Sequence, residues 1–240
     1  MPMLGNTSKN MVRLKSYAKV NLALDILGKD EKSGYHFVDT VICEVMDLYD
    51  EIEITPSGKL TVETDIESLN NEDNLAYKAA KLIGAKAHIK IKKNIPLRSG
   101  LGGGSSNAAS VLKALGVGKS EEELLKLASK LGMDVPIFIL GGVCHATHYG
   151  ESVERIKTDL ELSIKITLQS RPQTTRDAYA KVDLSKVGKD RPKTAALIKA
   201  LKENNLEGVI KNLHNDFETT SACLHHLSGS GPSYFELTQG

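Results

Sequence analysis

The sequence predicts an α+β protein of 240 residues, long enough for one or two domains with a real core. Strand-like alternation opens the chain, helices with their own start and stop signals are interleaved with it, and a glycine–serine run lies between an alternating strand and a helix.

Arg13 to Leu27, Phe37 to Met46 and Glu51 to Thr55 are rich in alternating apolar positions and are expected as strands, with Lys59 to Thr64 a shorter one. Asn74 is placed to cap a helix running to Ile83, where Gly84 stops it. From Lys86 to Lys93, Ala87, Ile89 and Ile91 share one strand face and Lys90 and Lys92 the other. A helical pattern covers about Ser105 to Leu115. Ser120 and Glu123 form a capping box ahead of Leu124, Leu127, Ala128 and Leu131, and Gly132 ends that helix. Val135 to Leu140 reads as a strand leading into Gly141-Gly142. In the second half Leu162 to Leu168 reads as a strand, Asp177 to Val182 and Thr194 to Leu213 as helices, and Ser233 to Leu237 as a closing strand. A boundary is expected near residues 155–160, dividing residues 1–157 from 158–240.

Lys and Arg number 31 against 30 Asp and Glu, a balance that argues against a protein built chiefly to bind nucleic acid. No apolar run approaches the roughly 18 residues needed to cross a bilayer, so no membrane partner is expected. Met1 to Arg13 lacks the apolar region of a secretory signal. Cys43, Cys144 and Cys223 are odd in number and widely spaced, so no disulfide framework is expected and a cytoplasmic location is. His145 with His148, and His225-His226, lack partners at ligand spacing, so no structural zinc is expected.

The run Pro96-Leu97-Arg98-Ser99-Gly100-Leu101-Gly102-Gly103-Gly104-Ser105-Ser106 is the strongest local signal. Its glycines let the backbone turn sharply and bring N–H groups close to an anion. The following helix aims its N-terminal dipole into the same space. Ser105 or Ser106 offers a hydroxyl for Mg2+. No Gly-Lys-Ser/Thr follows, so this is not a Walker A loop, and Ser105 stands where a GxGxxG spacing needs glycine. A merely flexible turn is the competing interpretation.

Two charged residues stand out. Lys19 sits between Ala18 and Val20 in an apolar strand, either at a sheet edge or placed for a purpose; Asn21 shares its face. Asp134 precedes an apolar segment and reads equally as a turn or capping residue. Asn74 and Lys93 are weaker nucleotide-side candidates, each with a plain alternative as helix cap and solvated surface lysine.

Ser16-Tyr17-Ala18-Lys19-Val20-Asn21-Leu22, Pro96 to Ser106 and Gly229-Ser230-Gly231-Pro232 resemble, in order and spacing, the three motifs of the galactokinase, homoserine, mevalonate and phosphomevalonate (GHMP) kinase superfamily. Gly34-Tyr35-His36, Met133 to Phe138 and Asn215-Asp216-Phe217-Glu218 sharpen the likeness to its members that phosphorylate a cytidine-diphosphate-linked methylerythritol in the non-mevalonate route to isoprenoids.

The resemblance implies a two-domain GHMP-kinase fold, with an N-terminal domain like ribosomal protein S5 and a C-terminal ferredoxin-like domain. It implies an ATP-dependent kinase acting with Mg2+ on an alcohol of a small cytidine diphosphate substrate, as monomer or homodimer. Asp134 is then the general base and Lys19 its cationic partner at the transferred phosphoryl. ATP phosphates fall to the glycine loop, cytosine contacts to Tyr35 and His36, and a second cytidine-side segment to Thr174-Thr175 with Tyr179. Another GHMP-type kinase, or a nucleotide-binding homologue with weakened turnover, are the alternative readings. Ser16 replaces the Pro that usually opens the first motif, and only residues 219–228 separate Glu218 from Gly229, so a shortened second domain is expected.

Overall fold

A single strand, buried on both of its faces, organises the molecule. The computed structural model describes residues 11–169, 174–220 and 225–238. Strand β1 (Val12–Lys29) pairs antiparallel along its length with β2 (His36–Pro56). From Ala18 to Ile26 every residue of β1 is buried, so a polar side chain in that stretch must find partners or carry a function.

β2 is one continuous strand, not the two that the sequence pattern suggests. Tyr17 faces Tyr49 while Ala18 faces Val45, so Met46-Asp47-Leu48 bulge out of the ladder and break the alternation. On either side of this bulge, the free edge of β2 takes a different neighbour. Val38 to Cys43 pair with β5 (Val143–His148) and Glu51 to Pro56 with β4 (Ala87–Lys92). β3 (Thr61–Thr64) joins β4, β6 (Ser152–Arg155) joins β5, and the short β8 (His214–Asn215) lies parallel to β1 at Ala23 and Leu24. The result is a seven-stranded sheet.

Helices α1 (Leu75–Leu82), α2 (Gly103–Leu115), α3 (Glu121–Ala128) and α4 (Val135–Leu140) cover one face. Ala76, Ala79, Ala80, Ala108 and Ala109 let them sit close to Ile52, Ile54, Ile89 and Ile91. Asn74 caps α1 by accepting from Ala76 N, and both halves of the Ser120–Glu123 capping box are formed. Val135 to Leu140 is a helix, which corrects the expected strand. Its residues Val135 to Ile139 are all buried, and so short an apolar run has no visible period; Pro136 in the first turn is the overlooked start signal.

Beyond β6 the chain forms a second sheet, β7 (Ser163–Thr167), β10 (Tyr234–Thr238) and β9 (His226–Leu227), in the order β7-β10-β9. Helices α5 (Thr175–Ala180), α6 (Arg191–Lys202) and α7 (Leu206–Lys211) accompany it. The single helix expected over Thr194 to Leu213 is broken: Asn204 takes a left-handed φ of 54°, and the Asn205 side chain caps a new start by accepting from Gly208 N. Leu197, Leu201, Val209 and Phe235 pack with Val20, Leu22 and Val41, so β1 and β2 share a core with the second half of the chain.

Polar ties bind the second half to β1. Asp216 Oδ2 accepts from Ile26 N (2.6 Å) and Gly188 N (2.8 Å), and Asp25 Oδ2 accepts from Thr194 Oγ1. Asn215 Nδ2 donates to Leu227 O and Gly229 O, which fixes the turn carrying Gly229-Ser230-Gly231. Cys43 and Cys144 are free, buried thiols whose pKa burial pushes up to about 12; Cys223 lies outside the described residues. Among the described residues, no helix is long and apolar enough to cross a membrane.

Candidate active site

The glycine run docks on the edge of β1 that β8 leaves free. Lys19 N donates to Leu101 O (3.0 Å), and Ser228 Oγ donates toward Gly100 O and Lys19 O (3.0 and 3.2 Å). Leu101 is fully buried beneath the loop. Gly102, at a left-handed φ of 71°, opens α2, so the helix begins at Gly103 and not at Ser105. The early amides of α2, with Gly102, Gly103, Gly104 and Ser105, border a cavity of about 640 Å3. Those N–H groups and the helix dipole give this end of the cavity the chemistry to hold an anion.

Close packing rules out a merely flexible turn. A Cβ on Gly100, at φ +79°, would lie 2.2 Å from Ser228 O and 2.9 Å from Gly231 O. On Gly102 it would lie 2.9 Å from the Phe138 ring. Gly104 is different, since its nearest neighbour is Leu75 Cδ1 at an ordinary 3.7 Å. Gly100→Ala is therefore expected to cost upwards of about 2 kcal/mol, whereas Gly104→Ala costs less than about 0.5 kcal/mol; chemical denaturation of both variants checks the contrast.

Beneath the loop lies a polar cradle with no counterpart in the sequence reading. Asp50, fully buried, pairs with Lys93 Nζ and accepts from Asn107 Nδ2 (2.9 Å), Asn94 N (2.8 Å) and Ile95 N (2.8 Å). Lys93 Nζ also donates to Asn107 Oδ1 (2.9 Å), and Asn107 Nδ2 reaches Ser16 Oγ, itself 2.7 Å from Ser106 Oγ. The Lys93 side chain, only 3% exposed, is thus a buried ion-pair partner beside the cavity and no solvated surface lysine. Of the two candidate serines, Ser106 is held by Ser16 while Ser105 borders the cavity. Asn74 is committed to its cap, with Nδ2 donating to Leu69 O.

Lys19 is 4% exposed: β1 is an edge of the sheet at this point, but the glycine loop covers it, so Lys19 is no solvated edge lysine. Its Nζ donates to Asn21 Oδ1 (2.6 Å), and Asn21 Nδ2 donates to Thr40 Oγ1 (2.8 Å), which donates in turn to Ala23 O. Asn21 therefore orients the ammonium. Burial draws the Lys19 pKa below its ordinary value, and the Asp134 charge opposes that shift. Asp134 holds the backbone position of a cap for α4, yet its carboxylate makes no capping bond. Both side chains border the cavity next to the anion site. A carboxylate and an ammonium therefore share the cavity, the pairing of groups that a phosphoryl transfer uses.

The far end of the cavity is aromatic. The Tyr179 ring lies 4.7 Å from His36 and 4.9 Å from Phe217, and burial pushes its phenol pKa up. Tyr35, half-exposed, packs against Tyr149 at 5.4 Å. Of the aromatic candidates, Tyr179 thus meets His36, while Tyr35 meets Tyr149. Thr175 borders the cavity within 3.5 Å of Ser230 Oγ, and Thr174 caps α5 by accepting from Asp177 N. Pro96, Gly100 and Gly229 complete the wall near Lys19, whereas Tyr35, His36 and Thr174 stand beside the cavity without bordering it.

Sequence reasoning missed Asp50, Asn107 and Tyr149. The first two carry no pattern, Asp50 falling between the two strands expected at Phe37 to Met46 and Glu51 to Thr55; Tyr149 was visible only as one of seven tyrosines in an aromatic-poor chain.

A family model described as the GHMP kinases N terminal domain matches residues 74–142. The 4-diphosphocytidyl-2-C-methyl-D-erythritol kinase of Caldicellulosiruptor saccharolyticus is 39% identical over 221 residues, spanning 87% of this chain and 75% of that protein. The enzyme of the same name from Clostridioides difficile is 35% identical over 260 residues, spanning 95% and 87%. A solved 4-(cytidine 5'-diphospho)-2C-methyl-D-erythritol kinase superposes with a TM-score of 0.77 at 28% identity, covering 95% of this chain and 91% of that one. Homoserine kinase from Cytophaga hutchinsonii, at 18% identity and a TM-score of 0.71 over 99% of this chain and 88% of that one, shares the fold. With relatives this similar over most of its length, the chain belongs to the 4-diphosphocytidyl-2-C-methyl-D-erythritol kinase family of the GHMP kinases.

Proposed function

We propose that this ATP-dependent small-molecule kinase transfers the γ-phosphoryl group of ATP to the 2-hydroxyl of 4-diphosphocytidyl-2-C-methyl-D-erythritol. The observation that carries the reading is one cavity running from the α2 N-terminus, past Lys19 and Asp134, to an end bordered by Tyr149, Thr175 and Tyr179. Phosphoryl transfer asks for positioning and charge neutralisation along such a line. The loop amides hold the ATP phosphates, with Lys93 and Asn107 bracing the loop from beneath. Asp134 accepts the proton of the attacking hydroxyl, and Lys19, aimed by Asn21, stabilises charge on the transferring group. Tyr35, His36 and Tyr179 recognise the pyrimidine, with Thr174 and Thr175 shaping that end.

Mg2+ fits the chemistry of this site. Mg2+ commonly binds through substrate phosphates, water and one or two protein oxygens. Ser105 is the hydroxyl in place to serve; the bound ion would neutralise phosphate charge. We assign residues 1–157 to the ATP and catalytic side and 158–240 to the substrate side, and expect a cytoplasmic monomer or homodimer without nucleic-acid or membrane partners.

ADP release measured with ATP, Mg2+ and each acceptor in turn tests the proposal. Turnover is expected with the cytidylyl substrate, and at least about 100-fold less with mevalonate or homoserine, which leave the aromatic end unfilled. Preference for mevalonate or homoserine would establish the other GHMP chemistry. ATP binding without turnover of any acceptor would mark a non-catalytic homologue.

A further inference from the structure

Tyr149 borders the cavity and has no part in the chemistry described above. We propose that Tyr149 is a positioning residue that fixes Tyr35 as the stacking platform for the substrate's pyrimidine, and so sets affinity for the cytidylyl substrate without affecting phosphoryl transfer. This rests on the substrate reading given under Proposed function.

The turn between β5 and β6 presents Tyr149. His148 takes a left-handed φ of 64°, Gly150 N donates to Thr147 O (3.0 Å), and Tyr149 N donates to Glu151 Oε2 (2.9 Å). Backbone and side-chain bonds therefore hold this tip in one conformation. The Tyr149 hydroxyl then donates to Asp30 Oδ2 (2.6 Å).

Asp30 closes the loop that carries Tyr35. Its N–H donates to Tyr35 O (2.8 Å), its carbonyl accepts from Gly34 N (2.8 Å), and its carboxylate accepts from Ser33 Oγ (2.6 Å) and Lys32 N (3.0 Å). Bonds from Ser33, Tyr149 and Lys32 hold that carboxyl well below the usual range, so it stays an acceptor throughout neutral pH. One tyrosine hydroxyl thus couples two separate turns.

The rings complete the support. Tyr149 stacks on Phe37 at 5.2 Å and 29°, and meets Tyr35 at 5.4 Å and 32°. Both distances lie within the range of favourable aromatic pairs. Tyr35 itself remains 51% exposed, so one side is supported by Tyr149 while the rest is open to a base. A half-exposed tyrosine without such a neighbour would sample several rotamers, and binding would have to select one. Backing by Tyr149 removes that cost before the substrate arrives.

Steady-state kinetics with ATP and the cytidylyl substrate test the assignment. Tyr149→Ala is expected to raise KM for the cytidylyl substrate about 10-fold, with kcat and KM for ATP changed less than about 2-fold. Tyr149→Phe keeps the ring and loses the Asp30 bond, so it raises that KM by about 3-fold, as does Asp30→Ala. Competitive inhibition by CDP should weaken in parallel. If Tyr149→Ala does not fold, the other two variants decide. An unchanged cytidylyl KM, or equal changes in both KM values, would overturn the inference while leaving the substrate reading intact. Failure of the wild type to turn over the cytidylyl substrate would overturn the substrate reading itself, and this inference with it.

Discussion

Asp134→Asn lowers kcat by about 1,000-fold while KM for ATP stays within about 3-fold and the melting temperature is unchanged. The size follows from the proposed role of a general base, and the selectivity follows from the geometry. Asp134 occupies the cap position of α4 at φ −84° and ψ −8° without making the capping bond, so an isosteric amide forfeits no fold contact. Its charge acts on Lys19 and on Tyr179, both bordering the cavity. An enzyme that worked by positioning alone would retain most of its turnover in this variant, because asparagine fills the same volume and still accepts a hydrogen bond. Wild-type kcat in Asp134→Asn therefore removes the base assignment. Lys19→Met is the companion measurement: turnover is lost to a similar degree, yet the melting temperature does not fall. Burial lowers the Lys19 pKa, which means the charged ammonium costs the fold stability at neutral pH, and methionine relieves that cost. Stability retained with activity lost is the signature of a residue kept for chemistry.

Features governed by short sequence spacing were legible before the structure. The capping box at Ser120, the cap at Asn74 and the face alternation of Ala87, Ile89 and Ile91 each lie within a few residues, and all three are present. The turn chemistry of the glycine run was legible, but the helix after it is expected only from about Ser105, whereas it begins at Gly103, a residue of poor helix propensity with no room for a Cβ beside Ile95. What escaped depends on distant partners. The bulge in β2 exists because Tyr17 and Ala18 select partners four residues apart. α4 is a helix because α2 and α3 bury it from several sides, not because of any period of its own. Lys93 reads as a surface lysine from its neighbours in sequence, and only the fold brings Asp50 and Asn107 to it from 43 and 14 residues away.

That distant partnership carries the second large effect. Asp50→Ala is expected to destabilise the protein by about 3–5 kcal/mol, lowering the melting temperature by about 10 °C. The carboxylate is fully buried and receives bonds from Lys93, Asn107, Asn94 and Ile95. Its removal leaves a lysine side chain that is 3% exposed with a single neutral acceptor, Asn107 Oδ1. It also frees two backbone N–H groups where β4 turns into the glycine loop. A surface pair would lose no more than about 1 kcal/mol, so the magnitude alone separates the two cases. Lys93→Met placed on top of Asp50→Ala should recover more than half of the loss, because the uncompensated charge, not the missing bond, is the dominant cost. KM for ATP should rise in Asp50→Ala and fall only partly in the double variant, since the loop amides at Asn94 and Ile95 stay unsupported in both. Additive destabilisation in the double variant would mean that Lys93 finds water or another anion once Asp50 is gone. The cradle would then be a set of independent bonds and not a charge-paired unit.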